Sequence, residues 1–275
     1  MHYDYLCSFI QMEFMIHDAE TFMTVNAKQL YTEFVNEYEN RPVLVFLHDS
    51  LGCTQLWRNF PHQLAAATQC NVLIYDRLGY GKSDPMPTHE RAVNYMELEA
   101  DVLQEILTKL KITNVILFGH SDGGTIALLA AAKYPGNIAG VICEAGHIFV
   151  EDVTLKGIYE AMDAYKNTTL PERLKKYHGG KTETLFRAWT ETWTGSEYRN
   201  WNIVHFLSKI SCPLLFIQGE KDEYGTMDQV NKTISQVSGR SEKYIIPETR
   251  HTPHKESPEL TLKAAESFIN SILKD

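Results

Sequence analysis

Cysteine is scarce in this chain and poorly placed for pairing. The five cysteines, Cys7, Cys53, Cys70, Cys143 and Cys212, are odd in number, and no two of them have CxxC spacing. That pattern excludes a disulfide framework and a cysteine-based zinc site, and predicts reduced thiols in a cytoplasmic protein. Positive charge is short as well. With 26 Lys and Arg against 35 Asp and Glu, the formal net charge is -9. No basic field steers a nucleic acid or an anionic membrane toward such a chain, so neither is expected as a partner. The apolar runs stop far below the ~20 residues of a membrane span. The N-terminus, Met1-His2-Tyr3-Asp4, lacks the basic and apolar regions of a secretory signal. No repeat period or low-complexity tract is present.

What remains is an ordinary globular composition, 44% hydrophobic and 22% charged, which excludes disorder, collagen and coiled coil. A chain of 275 residues buries enough surface to fold without disulfides or a structural metal. The opening segments Phe9–Ile16, Thr21–Val25 and Gln29–Val35 are rich in aromatic and β-branched residues and read as strands. Strand and helix then alternate. Val43–Leu47, Val72–Tyr75, Val115–Phe118 and Ile138–Cys143 are short continuous apolar runs, the mark of strands buried on both faces. Helices are predicted between them over Gln55–Thr68, Tyr95–Leu110 and Ser121–Tyr134. This rhythm predicts an α/β fold, a mostly parallel sheet covered by helices on both faces.

Between residues 147 and 210 the rhythm breaks. No β-branched run occurs there, and helices are predicted over Val153–Asn167, Pro171–Tyr177, Glu183–Trp193 and Glu197–Ser208. The alternation resumes with a strand at Leu214–Ile217, a helix at Met227–Val237, a strand at Lys243–Ile246 and a closing helix at Pro258–Leu273. Residues 1–146 and 211–275 are therefore expected to form one core, with 147–210 a helical insertion.

Gly119-His120-Ser121-Asp122-Gly123-Gly124 lies between a buried strand and an alanine-rich helix. The pattern GxSxG is weak alone, but in a sharp strand-to-helix turn it holds the central serine exposed and strained. The flanking glycines leave room where a Cβ would collide. The helix N-terminus offers N–H groups and a positive dipole end to a developing oxyanion. A phosphate cradle would need Lys-Ser or Lys-Thr after the glycines, which is missing.

A serine nucleophile needs a base and the base needs a carboxylate. Both belong just beyond the C-terminal ends of later strands. Glu220, Asp222 and Glu223 follow one such strand, and His251 and His254 follow the next.

Taken together, these segments resemble the α/β-hydrolase family of serine hydrolases with a helical cap. Leu47-His48-Asp49-Ser50-Leu51-Gly52 resembles its oxyanion loop, and Asp76-Arg77-Leu78-Gly79-Tyr80-Gly81-Lys82-Ser83 its D-x-x-G-x-G-x-S loop. Gly219-Glu220-Lys221-Asp222 resembles the acid turn, and His251 with Pro258 downstream resembles the base segment. The resemblance implies a triad of Ser121, Asp222 and His251, in the family's chain order, with backbone N–H groups of Ser50 and Asp122 as the oxyanion hole. It implies a carboxylic ester hydrolase that acts on a small molecule, with no cofactor and no metal. It also leaves room for carbon–carbon bond hydrolysis of a diketone-like substrate, and for a low-turnover ligand receptor. Asp49 and Arg250 stand where the family usually has glycine. His48 is expected to hold the loop backbone, and Asp122 to point its carboxylate away from the oxyanion. Trp189 and Trp193 of the insertion are candidate substrate contacts, with packing inside the cap as the alternative.

Overall fold

The computed structural model describes residues 19–274. The strand expected at Phe9–Ile16 lies outside the described residues. A hairpin of β1 (Ala19–Val25) and β2 (Lys28–Val35) leads into β3 (Val43–Leu47) and, after a helical turn at Thr54–Trp57, α1 (Phe60–Thr68). Then come β4 (Asn71–Tyr75), α2 (Tyr95–Leu110), β5 (Val115–His120), α3 (Asp122–Lys133) and β6 (Ile138–Glu144). The sheet runs in the order β1-β2-β4-β3-β5-β6, and continues through β7 (Leu214–Gly219) and β8 (Ser241–Ile246). β1 pairs with β2, and β2 with β4, antiparallel; every other pairing is parallel.

The apolar strands divide their side chains between two cores, as a period of two requires. Val43, Val45 and Leu47 of β3 face one core with Val115 and Leu117 of β5. Leu44 and Phe46 face the other with Ile116 and Phe118. The first core is closed by α2 and α3, the second by α1 and by α10 (Pro258–Ile272). Every residue of α3 from Asp122 to Ala132 is buried, which explains why it lacks a polar face.

The segment between β6 and β7 is helical, as expected, with α4 (Asp152–Asn167), α5 (Leu170–His178), α6 (Thr182–Thr194) and a short α7 (Val204–Leu207). The helix expected over Glu197–Ser208 forms only in part: the chain makes a turn at Ser196–Tyr198, leaves helical geometry, and becomes helical again only in α7. The Ile203 N–H donates to the Ile148 carbonyl (2.9 Å), and Asn202 bridges Phe149, so pairing with the segment after β6 replaces helical bonds. Similarly, the helix expected from Gln55 is interrupted at Arg58, whose φ of 53° ends the first turn, and Pro61 opens α1. The chain closes with α8 (Met227–Gln236), a one-turn α9 (Pro253–Glu256) and α10.

Two side chains, His178 and Lys181, tie the helical segment to the core loops. His178 accepts the Gly81 N–H at Nδ1 (3.0 Å) and donates from Nε2 to the Leu51 carbonyl (3.1 Å). The Lys181 ammonium donates to the carbonyls of Tyr80 (3.0 Å), Gly81 (2.6 Å) and Ser83.

Candidate active site

Ser121 joins β5 to α3 with φ 54° and ψ -118°, a sparsely populated conformation for a residue with a side chain. Such a backbone costs about 1–3 kcal/mol and persists only where its surroundings over-determine it. Here they do. A Cβ on Gly119 would lie 2.1 Å from the Gly123 carbonyl oxygen, and one on Gly123 would lie 1.9 Å from that of Leu47. The absence of both lets the start of α3 press against the end of β3. That approach sets the start of α3, whose first N–H groups have no partner inside the helix, against the beginning of the next loop, where the His48 carbonyl oxygen would lie 2.8 Å from the Cβ on Gly123.

The loop itself is braced from below. His48 donates from Nδ1 to the Asp49 carbonyl (2.8 Å) and accepts the Arg77 N–H at Nε2 (3.1 Å). Buried Arg77 donates to the same Asp49 carbonyl (2.8 Å). The D-x-x-G-x-G-x-S segment folds around Asp76, whose carboxylate accepts from the Thr54 N–H (2.6 Å) and the Lys82 N–H (2.8 Å).

His251 follows β8 and reaches back to the serine. Its Nε2 is 3.0 Å from Ser121 Oγ, and its Nδ1 lies 2.8 and 2.9 Å from the two Asp222 oxygens. Asp222 Oδ1 also accepts the Tyr224 N–H (2.8 Å), and Oδ2 accepts from Gln218 Nε2 (2.7 Å). The acid turn and the base loop meet where Gly219 comes so close to Arg250 that a Cβ would lie 2.0 Å from its carbonyl oxygen. Burial lowers the affinity of His251 for a proton, but the Asp222 charge and hydrogen bond outweigh it and raise its pKa above the ordinary 6.5. Burial raises Asp222, and the facing imidazole more than offsets this, so its pKa falls below 3.8. The trio therefore holds an ionised carboxylate against an imidazole with one bare nitrogen turned to the hydroxyl.

The rival residues are engaged elsewhere. Glu220 accepts the Glu248 N–H (3.1 Å), and Glu223 accepts the His251 N–H (3.2 Å) and pairs with Arg250 (3.1 Å). His254 turns away to Glu144 (2.6 Å). Asp122 points its carboxylate to the Tyr95 hydroxyl (2.9 Å), and that hydroxyl in turn accepts Trp193 Nε1–H (3.2 Å). Burial first, and the Asp122 charge second, hold the Tyr95 phenol well above its usual pKa, so it stays a donor.

Two residues that sequence reasoning missed stand beside His251. His147 and Tyr224 have ring centroids 5.8 and 4.7 Å from that of His251. His147 follows the C-terminal end of β6, the place where site residues gather in such sheets, and that signal was available. Trp193 packs on His147 (5.3 Å) and Trp189 on Tyr224 (6.4 Å). Both tryptophans are buried and also belong to an aromatic cluster with Phe186, Tyr198 and Trp201. Ser121 itself is only 7% exposed. Open clefts of about 370 and 620 Å³ lie elsewhere, one against α1 and one on the outer face of α4, and neither is lined by the serine, its histidine or its aspartate.

Among the described residues, His120, Glu144 and His254 bring ligand-type atoms within 4.8 Å of one another. Each already has a protein partner, since His120 Nε2 donates to the His251 carbonyl (2.8 Å) and His254 pairs with Glu144. No helix among these residues is long and apolar enough to cross a membrane.

Comparison with known proteins agrees with the architecture. The sequence profile of the alpha/beta hydrolase fold matches residues 42–202, more than half of the chain. Serine hydrolase BPHL of Homo sapiens is 30% identical over 259 residues, covering 90% of this chain and 85% of that protein. A putative 2-succinyl-6-hydroxy-2,4-cyclohexadiene-1-carboxylate synthase of Bacillus subtilis is 26% identical, covering 83% of this chain and 90% of its own length. Among solved structures, MGS-M2, an alpha/beta hydrolase from a deep-sea metagenome library, superposes with a TM-score of 0.76 at 20% identity, covering 91% of this chain and 97% of its own.

Proposed function

The chain belongs to the alpha/beta hydrolase fold family, and from that premise we propose that it is a serine hydrolase cleaving a carboxylic ester or lactone of a small, mainly apolar substrate. The observation that carries the reading is the single hydrogen-bonded line from Ser121 Oγ through His251 to Asp222. In this reading Ser121 Oγ attacks the carbonyl carbon while His251 Nε2 takes its proton. The negative oxygen is held by the N–H groups of Ser50 and Asp122, and the dipole of α3 adds to them. As the C–O bond breaks, His251 returns the proton to the leaving alcohol. Water then attacks the acyl-enzyme, gives one proton to His251 and releases the acid, and Ser121 recovers its proton.

Residues 147–210 act as a cap in this account. The aromatic wall of Trp189, Trp193, Tyr224 and His147 beside the base supports an apolar acyl or aryl group. The relative named serine hydrolase lends the same support at the level of the reaction class.

The test is a panel of ester, lactone, amide and diketone substrates, with Ser121→Ala as the blank. Esters or lactones should turn over, and Ser121→Ala should lose on the order of 10⁴-fold or more. A serine-directed phosphonate should label Ser121 alone. Turnover confined to the diketone would replace the reading with carbon–carbon hydrolysis, and activity surviving in the alanine variant would remove it.

A further inference from the structure

Behind the serine and its histidine lies a second set of titratable side chains that the proposed reaction does not use. His120 ends β5 and Glu144 ends β6, and the two are register partners in the parallel sheet. His254 comes from the base loop, three positions beyond His251. All three are buried, Glu144 completely.

Their hydrogen bonds connect the nucleophile turn to the base loop by routes that avoid the Ser121–His251 contact. The Ser121 N–H donates to the Glu144 carbonyl (2.8 Å). The side chain of the same Glu144 then crosses to the base loop, where Oε1 accepts the His254 N–H (2.6 Å) and Oε2 lies 2.6 Å from His254 Nδ1. From the other side, His120 Nε2 donates to the carbonyl of His251 itself (2.8 Å). A carbonyl can only accept, so the His120 ring carries its proton on Nε2. The loop is thus gripped at His251 and at His254 by the two residues that end the neighbouring strands.

We propose that His120, Glu144 and His254 are positioning residues for His251, fixing the distance and angle at which its imidazole meets Ser121. The proposal rests on the serine-hydrolase reading above. Its physical basis is the cost of the alternative. A buried carboxylate between two imidazoles is expensive to desolvate, and apolar packing of the same volume would serve stability as well or better. What apolar packing cannot do is fix a loop backbone by directed hydrogen bonds. A misplacement of about 1 Å at the reacting atoms can cost ~10²-fold in rate.

The electrostatics keep the His120 contact in one protonation state. Burial lowers the His120 pKa to about 4, against the opposing pull of Glu144 and of Asp49, whose Oδ1 is 3.9 Å from His120 Nδ1. His120 therefore remains neutral through the working range and keeps its grip on His251. Burial raises Glu144 to about 7 and lowers His254, whose other charged neighbours are Lys255, Asp49, Glu256 and His251. The Trp57, Phe60 and His120 rings, 4.5 to 5.8 Å from that of His254, shut out water.

The test compares Glu144→Ala with Glu144→Gln, because the amide can still accept from the His254 N–H and donate to its Nδ1. Glu144→Ala should lose ~10- to 100-fold in kcat with KM within about threefold. Its acid limb in kcat/KM should move to lower pH, since a loosened His251 loses part of the Asp222 contact that raises its pKa. Glu144→Gln should stay within about threefold of wild type in kcat. The low-field proton resonance of His251 Nδ1 reads the contact with Asp222 without substrate; it should broaden or vanish in the alanine variant and persist in the glutamine one. Should Glu144→Ala fail to fold, His120→Ala leaves the Glu144–His254 pair intact and carries the same expectations. Full kcat, an unmoved acid limb and an unmoved resonance in a folded alanine variant would overturn the proposal, as would equal losses in both Glu144 variants. A resonance that responds as expected in a protein that hydrolyses nothing would sustain the positioning role and remove the hydrolase reading instead.

Discussion

Replacing Asp222 by asparagine changes one heavy atom and forces a choice among four neighbours. Asp222 Oδ1 accepts from the Tyr224 and Gly225 N–H groups (2.8 and 3.3 Å), so the amide oxygen must take that place. The NH₂ then falls where Oδ2 was, 2.9 Å from His251 Nδ1 and 2.7 Å from Gln218 Nε2. Two donors now face each other across the second contact. Gln218 can relieve this by turning its amide, whose oxygen is buried without a partner, but it then loses its bond to the Gly225 carbonyl (3.1 Å). At His251 the retained oxygen, 2.8 Å from Nδ1, and the new NH₂, 2.9 Å away, compete for the same nitrogen. The NH₂ favours the tautomer in which Nδ1 accepts and the proton sits on Nε2, so that the nitrogen facing Ser121 can no longer take a proton.

The wrong tautomer is therefore the main effect, and its expected cost is ~10³- to 10⁴-fold in kcat, or about 4–5.5 kcal/mol of barrier. A second effect has a definite sign. The Asp222 charge is what holds the His251 pKa above 6.5 against burial. Activity requires neutral imidazole, so the wild-type acid limb should lie above the ordinary histidine value, and in the variant it should move down. Measuring kcat/KM from pH 5 to 9 on one ester checks both. A loss below tenfold, or a limb that rises, would refute the argument that Asp222 selects the tautomer and supplies the charge.

Other outcomes follow from single contacts. Gly123→Ala would drive a Cβ into the Leu47 carbonyl at 1.9 Å, with backbone on both sides, and should cost about 3 kcal/mol or more, read by urea unfolding. Lys181→Met leaves the carbonyls of Tyr80, Gly81 and Ser83 without their shared donor and should cost about 1–3 kcal/mol; an unchanged Tm would mean that water replaces the ammonium freely. Trp193→Ala should change the acyl chain-length preference while Ser121 still reacts with a small phosphonate. Parallel chain-length profiles with a lowered Tm would place Trp193 in the packing of the cap and not against substrate.

The parts of the fold that sequence exposes are those where one environment extends along several residues. β3, β4 and β5 are buried on both faces, so Val43–Leu47, Asn71–Tyr75 and Val115–His120 read as nearly unbroken apolar runs. The serine turn is equally legible, because its glycines, its strand and its helix are contiguous. Glu197–Ser208 misleads for the opposite reason. Its composition suits a helix, yet a distant segment, Ile148–Phe149, supplies the hydrogen bonds that decide its shape. The Glu144–His254 pair is harder still, since its members are 110 positions apart and neither falls within a motif. The facing of Trp189 and Trp193 depends on how α6 sits over His147 and Tyr224, which no local periodicity records.

The two departures from the family's glycines turn out to rest on a separable requirement. Neither Asp49 nor Arg250 has a positive φ; in this part of the molecule the left-handed angles belong to Ser121, Ala145 and Glu248. What Asp49 and Arg250 contribute to the turns is mainly their carbonyls. Asp49 offers its own to His48 and Arg77, and Arg250 sets its own against the bare Cα of Gly219. A carbonyl is available from any residue, so a side chain is tolerated wherever it has somewhere to go. The Asp49 carboxylate goes toward the His120 ring and the Arg250 guanidinium toward Glu223. The strict demand for glycine falls on the partner surface instead. At Gly119, Gly123 and Gly219 a Cβ would lie about 2 Å from a backbone oxygen of a neighbouring segment. Glycine is thus required where two backbones meet, and the loops on either side are free to vary.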